Sequence, residues 1–320
     1  MNKNTIIVFI LLVFSVSSLT GQNEHESKYD YITSSYYQLV YEADVAYLEG
    51  NDSLAFAKLQ EAERRCPLIN QFEHREIELY CCLLMKNRQY EKAIAYMDTL
   101  AVAYGSFPFR ALAELGKDSI LTRDFLINNP DFYNKIFPEL LAKRESFYTP
   151  ERDSLVKNLR AMSEDDQKVR KGMDNKKTFN KKTFDYKTMY KTDSINKIKL
   201  LQIIEKYGFP NASLYVDKDS DLHTRITAMC VHFWKDKEFG KMLLRFVHEG
   251  KCGPEVYGFF VDKEMLEEHK KLIFGVFNHT KKKEVKDFKN LNKRRISIGM
   301  PTREMEQRRN ELIEQGKHNE

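Results

Sequence analysis

From Tyr36 to Ala103 the apolar residues recur at intervals of three and four. That is the period of a helix burying one face, and it leaves little room for a sheet in this half of the chain. The stretch "LVYEADVAYLEGNDSLAFAKLQEAERRCP" reads as helix, short turn, helix, stop. Ala43, Ala46 and Tyr47 share a face of the first helix, and Gly50 and Asn51 make the turn. Ala55, Leu59 and Ala62 line the second helix, and Pro67 ends it. "REIELYCCLLMKNRQYEKAIAYMDTLAVAY" repeats the scheme. There Tyr80, Leu83 and Leu84 precede a turn at Asn87 and Arg88, and Tyr90, Ala93, Met97 and Leu100 follow it.

Paired helices with small residues at the close positions resemble the tetratricopeptide repeat. Ala55 to Ala93 spans 38 residues, against about 34 in the ideal unit, and the Trp of that unit is absent. "FRALAELGKDSILTRDFL" reads as a third, degenerate unit. The resemblance implies a surface that binds a peptide or another protein. The competing reading is that these helices only support the second half of the chain.

The first residues, "MNKNTIIVFILLVFSVSSLTGQ", set the expected address. Lys3, the apolar run Thr5 to Val16 and the small, polar "SSLTG" form a secretory signal peptide, with cleavage before Gln22. The apolar run is about a dozen residues, short of the roughly 20 that span a bilayer. No later segment is apolar enough to cross a membrane, so no transmembrane segment is expected after cleavage. The expected location is periplasmic or extracellular, and the "TGQ" ending resembles signal peptides of Bacteroidota. An exported chain rarely meets nucleic acid, so no nucleic-acid partner is expected for the basic run "NLNKRRISIGMPT".

With 42% hydrophobic and 31% charged residues the chain has the composition of a folded protein. Residues 22–150 carry a net charge of −6 and residues 151–320 one of +10, so the halves could attract each other or face different partners. Cys66, Cys81, Cys82, Cys230 and Cys252 are odd in number and irregular in spacing. They read as buried thiols; Cys66 could pair with Cys81 or Cys82 only if two helices bring them together. No pair has CxxC spacing, and no metal or other cofactor is expected.

Five triplets, at Asp52, Asp98, Asp118, Asp153 and Asp193, have the form Asp, Ser or Thr, then an apolar residue. They resemble the acceptor pattern for O-glycosylation of exported Bacteroidota proteins, which makes Ser53, Ser119, Ser154 and Ser194 candidates. An Asp or Ser before an apolar run is also a helix N-cap, and capping is favoured at those four; the triplet at Asp98 lies inside a helix.

After Pro150 the pattern changes. "ERDSLVKNLRAMSEDDQKVRKG" is one helix ending near Gly172. "MDNKKTFNKKTFDYKTMYKTD" mixes Lys with Phe179, Phe184, Tyr186 and Tyr190. It reads as an exposed linker, or as a binder of a polyanionic glycan or lipid headgroup. "INKIKLLQIIEKYGFP" is a helix closed by Gly208 and Pro210, and three more helical segments and a terminal helix follow. "KLIFGVF" and "KEVKDF" read as a small β-hairpin around residues 278–282.

Asp166, Gln167, Arg170, Gly208, Phe209, Pro210, His232, Asp262, Lys263, Phe274, Gly275, Arg294, Arg295, Gly299 and Met300 follow in this order. The order resembles an uncharacterised bacterial family of the pattern DQxxR, GWP, QH, DR, YGTQ, RRxxxGL. The likeness covers Arg160 to Ile313. Val231, Lys263, Val276 and Phe277 depart from it. No activity follows from the resemblance.

Read as chemistry, His232 could act as a base, Asp262 could orient it, and Arg295 could hold an anionic group. Asp166, Arg170 and Arg294 are weaker candidates for binding, and Asp166 with Arg170 has the spacing of a local helical ion pair. The fold expected is mostly α: helical-hairpin, tetratricopeptide-like repeats, then a compact helical domain with a small β-hairpin. The boundaries are 1–21 for the signal peptide, 22–148 for the repeats, 149–192 for a helix and Lys-rich linker, and 193–320 for the last domain. The leading function is an exported interaction module for a protein, peptide or glycan. The alternatives are an envelope-polymer hydrolase using His232, Asp262 and Arg295, and a purely structural protein.

Overall fold

Small side chains let the first two helices close. α1 (Tyr36–Leu48) and α2 (Asp52–Arg65) meet through Ala43, Ala55, Leu59 and Ala62, all fully buried. The turn needs Gly50 at φ +81°, and Asn51 caps α2 by accepting from the Leu54 N–H at 3.1 Å. α3 (Glu76–Lys86) and α4 (Tyr90–Tyr104) form a second hairpin, with Tyr80, Leu83, Leu84, Ala93 and Leu100 buried as read from the sequence. Glu63 stitches the two hairpins, accepting from Tyr80 Oη at 2.9 Å, Tyr96 Oη at 2.6 Å and Lys92 Nζ at 2.6 Å.

The computed structural model describes residues 28–71, 75–107, 112, 116–171, 184–215, 221–277 and 281–316. The expected signal peptide, the stretch 172–183 with Phe179, and much of the first helix of the third repeat unit lie outside them. α5 (Ser119–Asn128) is followed by a π turn at Phe132–Ile136 and by α6 (Phe137–Phe147). α7 (Pro150–Arg170) and α8 (Tyr186–Tyr207) are long and antiparallel, tied at one end by Lys206 to Glu151 at 2.9 Å. α9 (Leu222–His232), α10 (Lys237–His248) and α11 (Pro254–Glu267) pack beside them. α12 (Leu291–Ile296) and α13 (Arg303–Glu314) complete the chain. The fold is mostly α, and among the described residues no helix is long and apolar enough to cross a membrane.

One buried apolar cluster runs from Tyr31 to Phe260 and crosses position 148 without a break, through Leu140, Leu155, Leu159 and Met162. The two halves are also sewn together. Tyr37 Oη donates to the Val247 carbonyl at 2.7 Å, Gln38 Nε2 to that of Met300 at 2.8 Å, and Arg309 pairs with buried Asp44. Position 192/193, read as the end of a linker, falls inside α8, which starts seven residues earlier at Tyr186 behind an Asp185 cap.

Two further readings change. Only Asp118 of the four favoured triplets is an N-cap, accepting from Ile120 and Leu121. Asn51 caps the helix that begins at Asp52, while Thr149 and Asp185 cap the helices that contain Asp153 and Asp193. Ser53, Ser119, Ser154 and Ser194 are all exposed. Among the described residues the expected hairpin is replaced by one parallel bridge between Leu272 and Val285, and residues 278–280 of its expected turn lie outside them. The reason is competition for hydrogen bonds. Asp262 takes the N–H groups of Ile273, Phe274 and Val276 at 2.7, 2.9 and 3.0 Å. Arg294 Nε and Arg295 Nη1 take the carbonyls of Ile273 and Phe274 at 2.9 and 3.0 Å. Side chains thus hold the segment that a partner strand would have held.

Candidate functional site

Two helix stripes of the same design meet at the centre of the C-terminal half. On α7 the stripe is Leu155, Leu159, Met162 and Asp166; on α8 it is Met189, Asp193, Asn196 and Leu200. Each has the spacing of one helix face, and each places an Asp where an apolar residue would continue the stripe. Because the helices run antiparallel, the two Asp come together. Arg170 joins them, donating to Asp166 Oδ1 at 2.7 Å and to Asp193 Oδ1 at 2.6 Å.

His232, the last residue of α9, reaches the same point. Its Nδ1 lies 2.9 Å from Asp166 Oδ1. That oxygen already accepts from Arg170 and has only lone pairs to offer, so the Nδ1 proton makes the bond. Asp166 and Asn196 are 1% exposed, and Gln167 donates to Asp166 Oδ2 at 3.1 Å. Asn196 Nδ2 donates to the Met162 carbonyl at 3.0 Å, while its Oδ1 and the buried Ser163 Oγ have no partner among the described residues. Ser163 also lines a polar cavity of about 230 Å³ with Arg160 and Arg225.

The sequence candidates therefore divide. Asp166, Arg170 and His232 meet, and Asp193, which sequence reasoning noted only as part of a triplet, completes their network. The trio of His232, Asp262 and Arg295 is not linked by hydrogen bonds. Fully buried Asp262 is used by three backbone N–H groups. Arg295, also fully buried, serves the carbonyls of Phe274 and Pro301 and pairs with Glu306 at 3.0 Å. Arg294 serves three carbonyls, of Ile273, Lys286 and Asp287. Of the adjacent Arg pair, Arg295 points inward; its partners are carbonyls and Glu306, and neither Asp166 nor Asp262 is among them.

Beside the polar network lies an aromatic strip with cations. Phe184 and Tyr186 meet edge to face at 4.9 Å, and Tyr186 stacks on Tyr190 with centroids 6.3 Å apart and planes at 28°. Lys235 Nζ sits 5.3 Å from the Tyr190 ring and 5.2 Å from that of Trp234, the single Trp of the chain. Tyr190 is 53% exposed, and Lys187 and Lys191 are exposed beside it on α8 with no ion pair within 4.0 Å among the described residues. Sequence reading found Tyr186 and Tyr190 through their Lys-rich neighbourhood. It missed Trp234 and Lys235, which lie on the turn after α9 and join the strip only in three dimensions.

A cavity of about 180 Å³ opens between the halves, lined by Asn70, Tyr104, Phe209, Asn211, Cys252 and Glu255 among others. All five Cys are free and buried. Burial pushes the Cys230 thiol up to about 12 and raises those of Cys81 and Cys252 well above the usual thiol value. None of these three has the lowered pKa of a nucleophile.

Comparison with protein-family models, with curated proteins and with solved structures returned no match. The likeness of Arg160 to Ile313 to an uncharacterised family accordingly rests on the order of its motifs alone.

Proposed function

We propose that the chain is an exported binding module for an acidic glycan of the cell envelope, taken on the strip of Tyr186, Tyr190, Trp234 and Lys235. The observation that carries this reading is the half-exposed Tyr190 ring between a stacked Tyr186 and a cation shared with Trp234. Exposed aromatic faces receive the C–H faces of sugar rings, and amphipathic aromatics do this at little entropic cost. Lys187, Lys191 and Lys235 supply charge for carboxylate or phosphate groups on the polymer.

A peptide in the hairpins is supported less well. α1 buries nine of its residues and is covered by the end of α10 and by α13, and every α3 residue from Glu76 to Met85 is buried. The tetratricopeptide-like hairpins thus serve, in this reading, as the scaffold that carries the second half. A hydrolase built on His232 would have to use Asp166 as its orienting carboxylate, since Asp262 is committed elsewhere.

Binding of the mature chain to immobilised acidic and neutral polysaccharides tests the reading. Retention on the acidic polymer should fall steeply with salt and be lost in Lys187→Ser/Lys191→Ser/Lys235→Ser. Equal retention on both polymers, or no effect of the triple substitution, refutes it.

A further inference from the structure

We propose that Asp166, Asp193 and His232 form a site for one divalent transition-metal cation of the Zn²⁺ class, which enters by displacing the Arg170 guanidinium from between the two carboxylates. This inference is independent of the glycan reading.

Each of the three residues offers a ligand atom, and these atoms all lie within 4.8 Å of one another. Ligands that share a zinc ion stand about 2.0–2.2 Å from it and about 3.4 Å apart. One imidazole with two carboxylates suits Zn²⁺ or a similar first-row ion better than Mg²⁺ or Ca²⁺, which prefer oxygen alone. Three protein ligands also leave a fourth position for water, the pattern of an open site.

The unpaired atoms point the same way. Asp193 Oδ2 and His232 Nε2 receive no hydrogen bond from the described residues, although Asp193 and His232 are largely covered. Asn196 Oδ1 and Ser163 Oγ have no partner among the described residues, and their residues are 1% exposed. Asn196 follows Asp193 by three residues and Ser163 precedes Asp166 by three, so both stand on the helix faces that carry the ligands. An ion would give Asp193 Oδ2 and His232 Nε2 a partner.

Arg170 now fills the electrostatic role. The buried Asp166 carboxylate and the half-buried Asp193 carboxylate need a positive partner, and one guanidinium supplies a single charge for both. A divalent cation supplies two. Arg170 stands nearer the surface, with its side chain 14% exposed, and can swing outward when displaced.

The test is Zn²⁺ titration of chelator-treated, full-length mature protein by calorimetry, with Mg²⁺ as the comparator. One equivalent of Zn²⁺ should bind with micromolar or tighter affinity, and Mg²⁺ should not compete. Asp193→Asn and His232→Gln should each weaken binding at least tenfold, while His248→Gln, in the separate pair with Asp30, should leave it unchanged. Arg170→Gln should bind at least threefold tighter, because the competing cation is gone; a merely structural ion pair would give no such gain. Should a variant fail to fold, anomalous diffraction at the zinc edge from parent crystals decides the matter. A peak among Asp166, Asp193 and His232 upholds the site. A peak elsewhere, no stoichiometric uptake, or full binding by Asp193→Asn overturns it.

Discussion

Replacing Asp262 by Asn removes one charge and changes almost nothing in size, so its cost isolates what the carboxylate does. The side chain is fully buried and accepts three backbone N–H bonds, at 2.7, 2.9 and 3.0 Å. Hydrogen bonds to a charged group contribute about 1.5–3 kcal/mol each. Asn keeps a single acceptor oxygen, weakens the bonds that it retains and sets its NH₂ against at least one N–H. The loss should be about 3–5 kcal/mol, a sizeable share of a total stability of about 5–15 kcal/mol. In a chain this long the melting temperature should fall by roughly 6–10 °C. Urea unfolding followed by circular dichroism should show a lower midpoint with the slope unchanged. Lys263→Ala is the control: its one ion pair among the described residues, to Glu267, is at the surface, so its cost should stay below about 0.5 kcal/mol. Arg295 grips the same segment by its carbonyls, so Asp262→Asn and Arg295→Met should couple by at least about 1 kcal/mol in a double-mutant cycle. An Asp262→Asn protein within about 0.5 kcal/mol of the parent would refute the argument that side chains hold this segment in place of a strand.

Other expectations are quicker to check. Burial opposes ionisation of Glu63, but the hydrogen bonds from Lys92, Tyr96 and Tyr80 outweigh it and hold its carboxyl below the usual 4.5. Its stabilisation is therefore present above 4.5 and lost as pH falls through the lower folded value, so Glu63→Gln should flatten the acid side of a stability-versus-pH curve measured by urea midpoints. Gly50→Ala should cost about 1–2 kcal/mol, since only the left-handed backbone is strained and no atom stands within 4 Å of the new Cβ. Gly105→Ala should cost roughly twice as much in thermal melts, because that Cβ would also run into the Phe147 ring. Ellman's reagent should find no reactive thiol in native protein and five in urea.

The helices were largely legible because Gly, Pro and spacing by threes and fours are local signals. Gly208 at φ +85° closes α8 as its position suggests. The start of α8 was not legible: between Tyr186 and Asp193 its only buried apolar side chain is Met189, so the stretch reads as a polar linker. "KLIFGVF" has strand-like residues, but its hydrogen bonds go to Asp262, 11 to 14 positions upstream, and no periodicity encodes that. The same limit hid the pairing of His232 with Asp166, 66 residues apart. It also favoured Asp262 as the partner, since a buried Asp looks alike whether it serves an imidazole or a backbone. Residue types could be nominated from the chain, whereas their partners depended on how α7, α8 and α9 pack.

Trp234 provides the most direct test of the binding account, because it is the only Trp and stands in the proposed strip. Its emission should be recorded while the mature protein is titrated with polygalacturonate and, separately, with neutral dextran. The account predicts a saturable change with polygalacturonate alone, reduced by salt and at least tenfold weaker in Tyr190→Ala. No change with either polymer, or an equal change in Tyr190→Ala, would contradict it.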